Sequence, residues 1–151
     1  LRGGRVIARP YLPGLPLAPA TLEGAPGDEA GAHVAELAGS RSWRLAFDAS
    51  YEGALSVGIG SGSGLAITLE EGRLTVDLTA TRYPHGGRRV VTLEPGEARR
   101  VEILHDRSIT EIYLGDGSRV FTTRSFLNGD GSGVTLTGAA SVTNASAARA
   151  D

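Results

Sequence analysis

The 151-residue chain has no cysteine, which excludes disulfides and thiolate metal sites but leaves the compartment open, since many secreted bacterial proteins lack cysteine too. No apolar run approaches the roughly 18 residues of a membrane span, and no signal peptide stands at the start. The chain begins Leu1-Arg2-Gly3-Gly4-Arg5 without an initiator Met, so continuation from a longer polypeptide is expected, and secreted and cytoplasmic locations both stay open. Charge of one sign is also missing. With 15 basic and 17 acidic residues the formal net charge is −2, so no long-range field draws the chain to nucleic acid or an anionic membrane. The arginines at 88–89 and 99–100 come only in pairs and read as solvated strand edges. Finally, no ten-residue stretch carries a helical apolar stripe.

What is present is turn chemistry and alternation. There are 22 glycines and 7 prolines against 40% hydrophobic residues, enough for one core in a chain this long but not for a second domain. Arg9 to Pro19 holds four prolines, each fixing φ and lacking a donor, so an extended surface strap is expected there. Regular structure is expected to begin at His33-Val34-Ala35-Glu36-Leu37. Trp43, Leu45 and Phe47 then share one face of a strand that should be central. Leu55, Val57 and Ile59 alternate, Gly60 to Gly64 turns, and Leu65, Ile67 and Leu69 alternate again, giving a hairpin. Glu71-Gly72 leads into Leu74, Val76 and Leu78. Val90 to Leu93 is a further short strand, and Val134-Thr135-Leu136 can close a sheet. Ser141 to Asp151, rich in Ala and Ser, is expected to fray beyond a short strand near Val142. Short strands with frequent turns predict an all-β, two-sheet antiparallel β-sandwich of the concanavalin-like or jelly-roll-like kind. No internal repeat supports a propeller made by this segment alone.

Three strands are expected between Val101 and Phe126. A two-residue turn at Asp106-Arg107 would set 101 opposite 112 and place Glu102 opposite Glu111, a like-charge pair that needs a shared cation such as Arg124 or Arg100. A second turn at Asp116-Gly117 would set 112 opposite 121 and 111 opposite 122, bringing Arg124 diagonal to Glu111. A Glu111–Arg124 pair is therefore expected, either on a face covered by another domain or as an exposed rim pair of little energetic weight.

Candidate chemistry is sparse. His33, His85 and His105 stand alone, without metal-ligand spacing, and read as strand-edge or loop residues, so no metal is assigned. Asn128-Gly129-Asp130-Gly131 lacks the later carboxylates of a calcium loop. The Gly60-Ser61-Gly62-Ser63-Gly64 run does not make a nucleophile elbow, having Gly at the Ser position and no helix after it. Gly58-Ile59-Gly60 fails as a dinucleotide fingerprint for the same lack of a helix. Asp106 and Glu111, an odd number of positions apart, would not point the same way from a regular strand, and no catalytic residue is assigned. Trp43 belongs to the core by its period, and Tyr11 and Tyr113 are further aromatics a sugar site could draw on. Tyr51 and Tyr83, at strand ends or loops, are the better candidates for stacking on a sugar.

The run Asp106-Arg107-Ser108, Glu111-Ile112-Tyr113, a Gly-containing turn, and Phe121-Thr122-Thr123-Arg124-Ser125-Phe126 resembles the signature of the C-terminal β-sandwich module of glycoside hydrolase family 32, the invertase, levanase and sucrose-hydrolase group. The similarity is specific over about 99–138 and looser over 33–98, where Gly72-Arg73-Leu74-Thr75-Val76-Asp77 also fits, while Leu104-His105 departs from the family's small aliphatic residues. The resemblance implies that catalytic carboxylates lie upstream, in a β-propeller bearing Asn-Asp-Pro-Asn, Arg-Asp-Pro and Glu-Cys motifs, none of which occurs here. It implies residues 1–27 as a linker or strap from that domain, 28–145 as the sandwich, and 146–151 as a frayed tail. Asp106, Arg107, Glu111, Tyr113 and Arg124 become candidate contacts to the propeller, the expected partner in the same polypeptide. An oligosaccharide is a second candidate partner, and no cofactor is implied. The function so implied is a non-catalytic module of an enzyme acting on β-fructosides such as sucrose, levan or inulin. An autonomous carbohydrate-binding sandwich is the alternative, and a purely structural adhesion module ranks third.

Overall fold

The computed structural model describes residues 6–10, 12–60, 64–129 and 132–150. Tyr11, the Ser61–Ser63 part of the Gly/Ser turn, and Asp130-Gly131 lie outside them, as does Leu1-Arg2. Among the described residues there are eleven strands: β1 (Ala18–Pro19), β2 (Leu22–Glu23), β3 (Ala32–Val34), β4 (Ser42–Ile59), β5 (Leu65–Glu70), β6 (Arg73–Asp77), β7 (Arg88–Thr92), β8 (Arg100–Asp106), β9 (Ile109–Leu114), β10 (Arg119–Arg124) and β11 (Val134–Arg149). All pairings are antiparallel.

Two long strands make the sandwich. On one edge, β4 pairs with β8 through Ser42–Asp48 and with β5 through Leu55–Ile59, so two three-strand sets, β8-β9-β10 and β5-β6-β7, branch from one strand. On its other edge, β11 follows β4 through both halves, slipping register between Gly138 and Ala140 and again between Thr143 and Ser146. These irregularities let both strands pass from one sheet into the other. At the first, Gly138 has φ +124 and an added Cβ would lie 2.1 Å from the Ala54 carbonyl oxygen, so only glycine fits. At the second, Asn144 takes φ +51, and its side-chain amide donates to Asp48 Oδ2 at 2.7 Å.

Alternation decides what is buried between the sheets. In one half Trp43, Leu45 and Phe47 lie opposite His105, Ile103 and Val101; in the other Leu55, Val57 and Ile59 lie opposite Leu69, Ile67 and Leu65. All are 1% exposed or less. Each large apolar side chain removed from water contributes about 1.5–3 kcal/mol, so this single cluster dominates the fold's stability. The expected hairpins at 55–69 and around Glu71-Gly72 are both present.

Several expectations are corrected. β11 does not fray after Ser141: it runs to Arg149, held by β4 on one side and, at Ser146–Ala147, by β1 on the other. Backbone pairing on both sides substitutes for the missing apolar period, which the extra residue at Asn144 interrupts. Regular structure also starts before His33, with β1 and β2. The β8–β9 register differs from expectation by two residues: Val101 faces Leu114 and Ile103 faces Ile112. Asp106 stays in the strand, bonded by Ser42 Oγ at 2.8 Å, so the turn falls on Arg107-Ser108, with Arg107 at φ +53. A two-residue slip preserves which face each side chain takes, and the apolar face is unchanged. The β9–β10 register is the expected one, 112 opposite 121 and 111 opposite 122, although the connection is the wider Gly115–Ser118.

Candidate functional site

The corrected β8–β9 register dissolves the like-charge pair. Glu102 faces Tyr113 and Glu111 faces Leu104 across the strands, and Glu102 forms an ion pair with Arg44 of β4. Arg44 sits on this outer face because it alternates with the buried Trp43 and Leu45. One strand over, Arg100 Nη1 pairs with Asp48 Oδ1 at 3.1 Å, so this arginine is part of a polar face rather than a solvated edge. Tyr113 Oη donates to Glu111 Oε2 at 2.8 Å. Burial, with that carboxylate beside it, pushes the phenol up to about 12, so Tyr113 keeps its proton at physiological pH.

The proline-rich segment crosses this face. The Ala8 amide donates to the Gly117 carbonyl at 3.0 Å, Arg9 Nε to the Asp116 carbonyl at 3.4 Å, and Arg44 Nη1 to the Leu15 carbonyl at 3.3 Å. Gly117 has φ +87, and an added Cβ would lie 1.9 Å from the Ala8 oxygen, so the strap lies directly on that turn. Between strap and sheet is a concavity of about 340 Å³, walled chiefly by Arg9, Arg44, Arg100, Glu102 and Tyr113.

A second neighbourhood lies at the other end of β9, where the Ser125 amide donates to the Ser108 carbonyl and the Arg82 amide to the Phe126 carbonyl, both at 2.8 Å. Tyr83, 50% exposed, meets Phe126, 41% exposed, edge to face at 5.4 Å. The Arg82 guanidinium lies 5.6 Å from the Tyr83 ring centre and that of Arg124 lies 5.0 Å from the Phe126 ring centre. Exposed Ile109, opposite Arg124, completes the patch.

The expected contact residues therefore divide. Glu111 and Tyr113 are joined by a hydrogen bond on the strap-covered face, while Asp106, Arg107 and Arg124 gather around the β8–β9 turn. Glu111 and Arg124 share a face as expected, yet the expected ion pair does not form, because Arg124 stacks on Phe126 and Glu111 takes the Tyr113 hydroxyl. Tyr51 is half-buried against the core and its hydroxyl donates to the Ala98 carbonyl at 2.7 Å, burial pushing that phenol far up, so neither end is free for a ligand. Tyr83 is open to solvent. His105, expected at an edge or in a loop, is fully buried, its Nδ1 2.9 Å from Thr110 Oγ1 and its ring 5.3 Å from that of Trp43; burial lowers it to about 4. Reasoning from sequence missed Phe126, Arg9, and the joining of Arg44 to Glu102; the alternation around Trp43 was the signal that placed Arg44 outward.

The fold and site define an antiparallel β-sandwich with paired charges under a strap on one outer face and an exposed aromatic patch at a loop end. The chain belongs to the family described as "Glycosyl hydrolases family 32 C terminal", whose model matches residues 27–150. Among solved structures it resembles sucrose-6-phosphate hydrolase from Lactobacillus gasseri, at 19% identity and a TM-score of 0.67, over 89% of this chain and 28% of that one. It also resembles a glycoside hydrolase family 32 protein from Bifidobacterium adolescentis, at 17% identity and TM-score 0.70, over 99% and 24%. A third likeness is to the fructofuranosidase from Schwanniomyces occidentalis complexed with fructose, at 12% identity and TM-score 0.70, over 95% and 35%. The chain thus spans about a quarter to a third of these neighbours, and at such identities they show the shared fold. No curated protein matches.

Proposed function

We propose that this chain is the non-catalytic C-terminal β-sandwich module of a glycoside hydrolase acting on β-fructosides, and that it packs against and stabilises an upstream catalytic β-propeller. The family match over residues 27–150 carries this reading. In it, residues 1–27 form the connection to the propeller. Local chemistry is in keeping: Glu102, which lines the concavity, is taken by Arg44, and Glu111, beside it on β9, by the Tyr113 hydroxyl. Glycoside hydrolysis instead asks for two carboxyl groups facing one scissile bond.

The exposed end of the sandwich suits docking. Aromatic residues and arginine are enriched where protein surfaces bind tightly, and Tyr83, Phe126, Arg82 and Arg124 supply both. The same exposed rings favour the second reading, an autonomous carbohydrate-binding module. Differential scanning of a separately produced catalytic domain, with and without this chain, distinguishes them. A rise of several degrees in the catalytic domain's melting temperature with added chain is expected, since a partner that binds only the folded state stabilises it by mass action. No rise at saturating chain would refute packing and stabilisation.

A further inference from the structure

The concavity beneath the strap has the chemistry of a sugar site. Among the described residues, Arg44 donates through Nε and Nη1 alone and Arg100 through Nη1 alone, leaving Nη2 of the first and Nε and Nη2 of the second without a partner. Among the same residues Glu102 accepts at Oε1 only, and the Tyr113 oxygen donates without accepting. Each ion pair thus fixes its partners in place while leaving valence unspent on both. A neutral hydroxyl both donates and accepts, so neighbouring hydroxyls on a ring can bridge a guanidinium and a carboxylate together.

Charge balance selects against an anion. Arg9, Arg44 and Arg100 are outnumbered by Glu102, Asp116, Asp48 and the Glu111 that holds Tyr113, three cations to four carboxylates, so a phosphate or carboxylate ligand would meet no attractive net field. The Tyr113 ring, Leu17 and Pro10 add apolar surface for the C–H faces of a sugar. At about 340 Å³ the cavity lies at the small end of ligand pockets, suited to the end of a short oligosaccharide. Its roof is stiffened by proline and pinned at Gly117 and Leu15, so little ordering accompanies binding.

We infer that the cleft between the proline-rich strap and the β8–β9 face, with Arg44, Arg100, Glu102 and Tyr113 as its polar contacts, binds a neutral oligosaccharide. That the sugar is a β-fructoside rests on the function proposed above. The open aromatic patch at Tyr83 and Phe126 is a competing location, but each of its rings already packs against the other ring and an arginine.

The test is an NMR titration of the chain, wild type and with Arg100→Ala or Tyr113→Phe, using the fructan trisaccharide kestose and, separately, maltotriose. Both changes are on the outer face, and Tyr113→Phe keeps the ring, so a folded variant is available even if one fails. Saturable amide shifts at Arg9, Arg100–Glu102 and Tyr113 are expected, weakened at least about tenfold in Arg100→Ala, which loses a charge-assisted hydrogen bond, and about three- to tenfold in Tyr113→Phe, which loses a neutral one. Absence of shifts at the cleft with both sugars, shifts only around Tyr83 and Phe126, or shifts unaltered by both variants would overturn the inference. Cleft shifts with maltotriose and none with kestose would uphold the sugar site while removing the β-fructoside part of the proposed function.

Discussion

The two ends of β9 differ in how their polar groups are used. At the Tyr113 end, under the strap, opposite charges are joined in pairs on a shielded, concave face. At the Ile109 end, around Arg124, guanidiniums lie over exposed rings and no carboxylate answers them among the described residues. Six residues of one strand connect them, so the difference comes from what the rest of the chain lays over each. A proline-rich segment closes one end into a cleft that suits a small neutral ligand; none of the described residues covers the other, which suits a large, flat partner.

Both ends share a core, and removing it should erase the contrast. Trp43→Ala, beneath Arg44 and against His105, is expected to cost about 3–5 kcal/mol in urea denaturation and to shift resonances at both ends together. Retention of either end's native spectrum would show the two to be independently supported.

Acid should act next most strongly. His105 is held neutral in the fold, at about 4, against an ordinary value of 6.5 when the chain is unfolded. Between these values the unfolded state binds the extra proton, so stability rises with pH through that window and falls by up to about 3 kcal/mol on acidification from above 6.5 to about 4. Below that window the histidine's contribution is flat. Denaturation curves of His105→Leu should lose this dependence, and an unchanged pH slope would show that other groups carry it.

Only the cleft should respond to Gly117→Ala. The new methyl meets the Ala8 carbonyl and an unfavourable φ, at a cost of about 1–3 kcal/mol, so the strap should lift and the Ala8 amide should exchange faster, with Tyr83 and Phe126 resonances unmoved. Smallest is the effect of Phe126→Ala, within about 1 kcal/mol because the ring is half exposed, with no change in cleft titrations. A larger loss would mean that the patch is part of the module's own stability and is less available to a partner.

The sequence made the sandwich legible because alternation is a local property: Trp43-Leu45-Phe47 and Leu55-Val57-Ile59 announce their inward faces whatever they pair with. Register was less legible. The side chain that holds Asp106 in β8 comes from Ser42, far away in sequence, and no local turn preference reveals it. The continuation of β11 past Val142 was missed because Ala and Ser carry no period, its persistence depending on ladders to β4 and β1. Of the candidate site, the shared face of Glu111 and Tyr113 was visible from strand parity, and Tyr83 from its place in a loop. The cleft was not, because its roof is a segment whose course over the sheet is set by bonds to Gly117, Asp116 and Arg44.

The most direct test of the account is fructose release from sucrose by the purified 151-residue chain. A module whose carboxylates are committed to Arg44 and Tyr113 should release none above the uncatalysed background over a prolonged incubation. Sustained release that disappears in Glu102→Gln or Glu111→Gln would contradict it, placing bond cleavage on the strap-covered face.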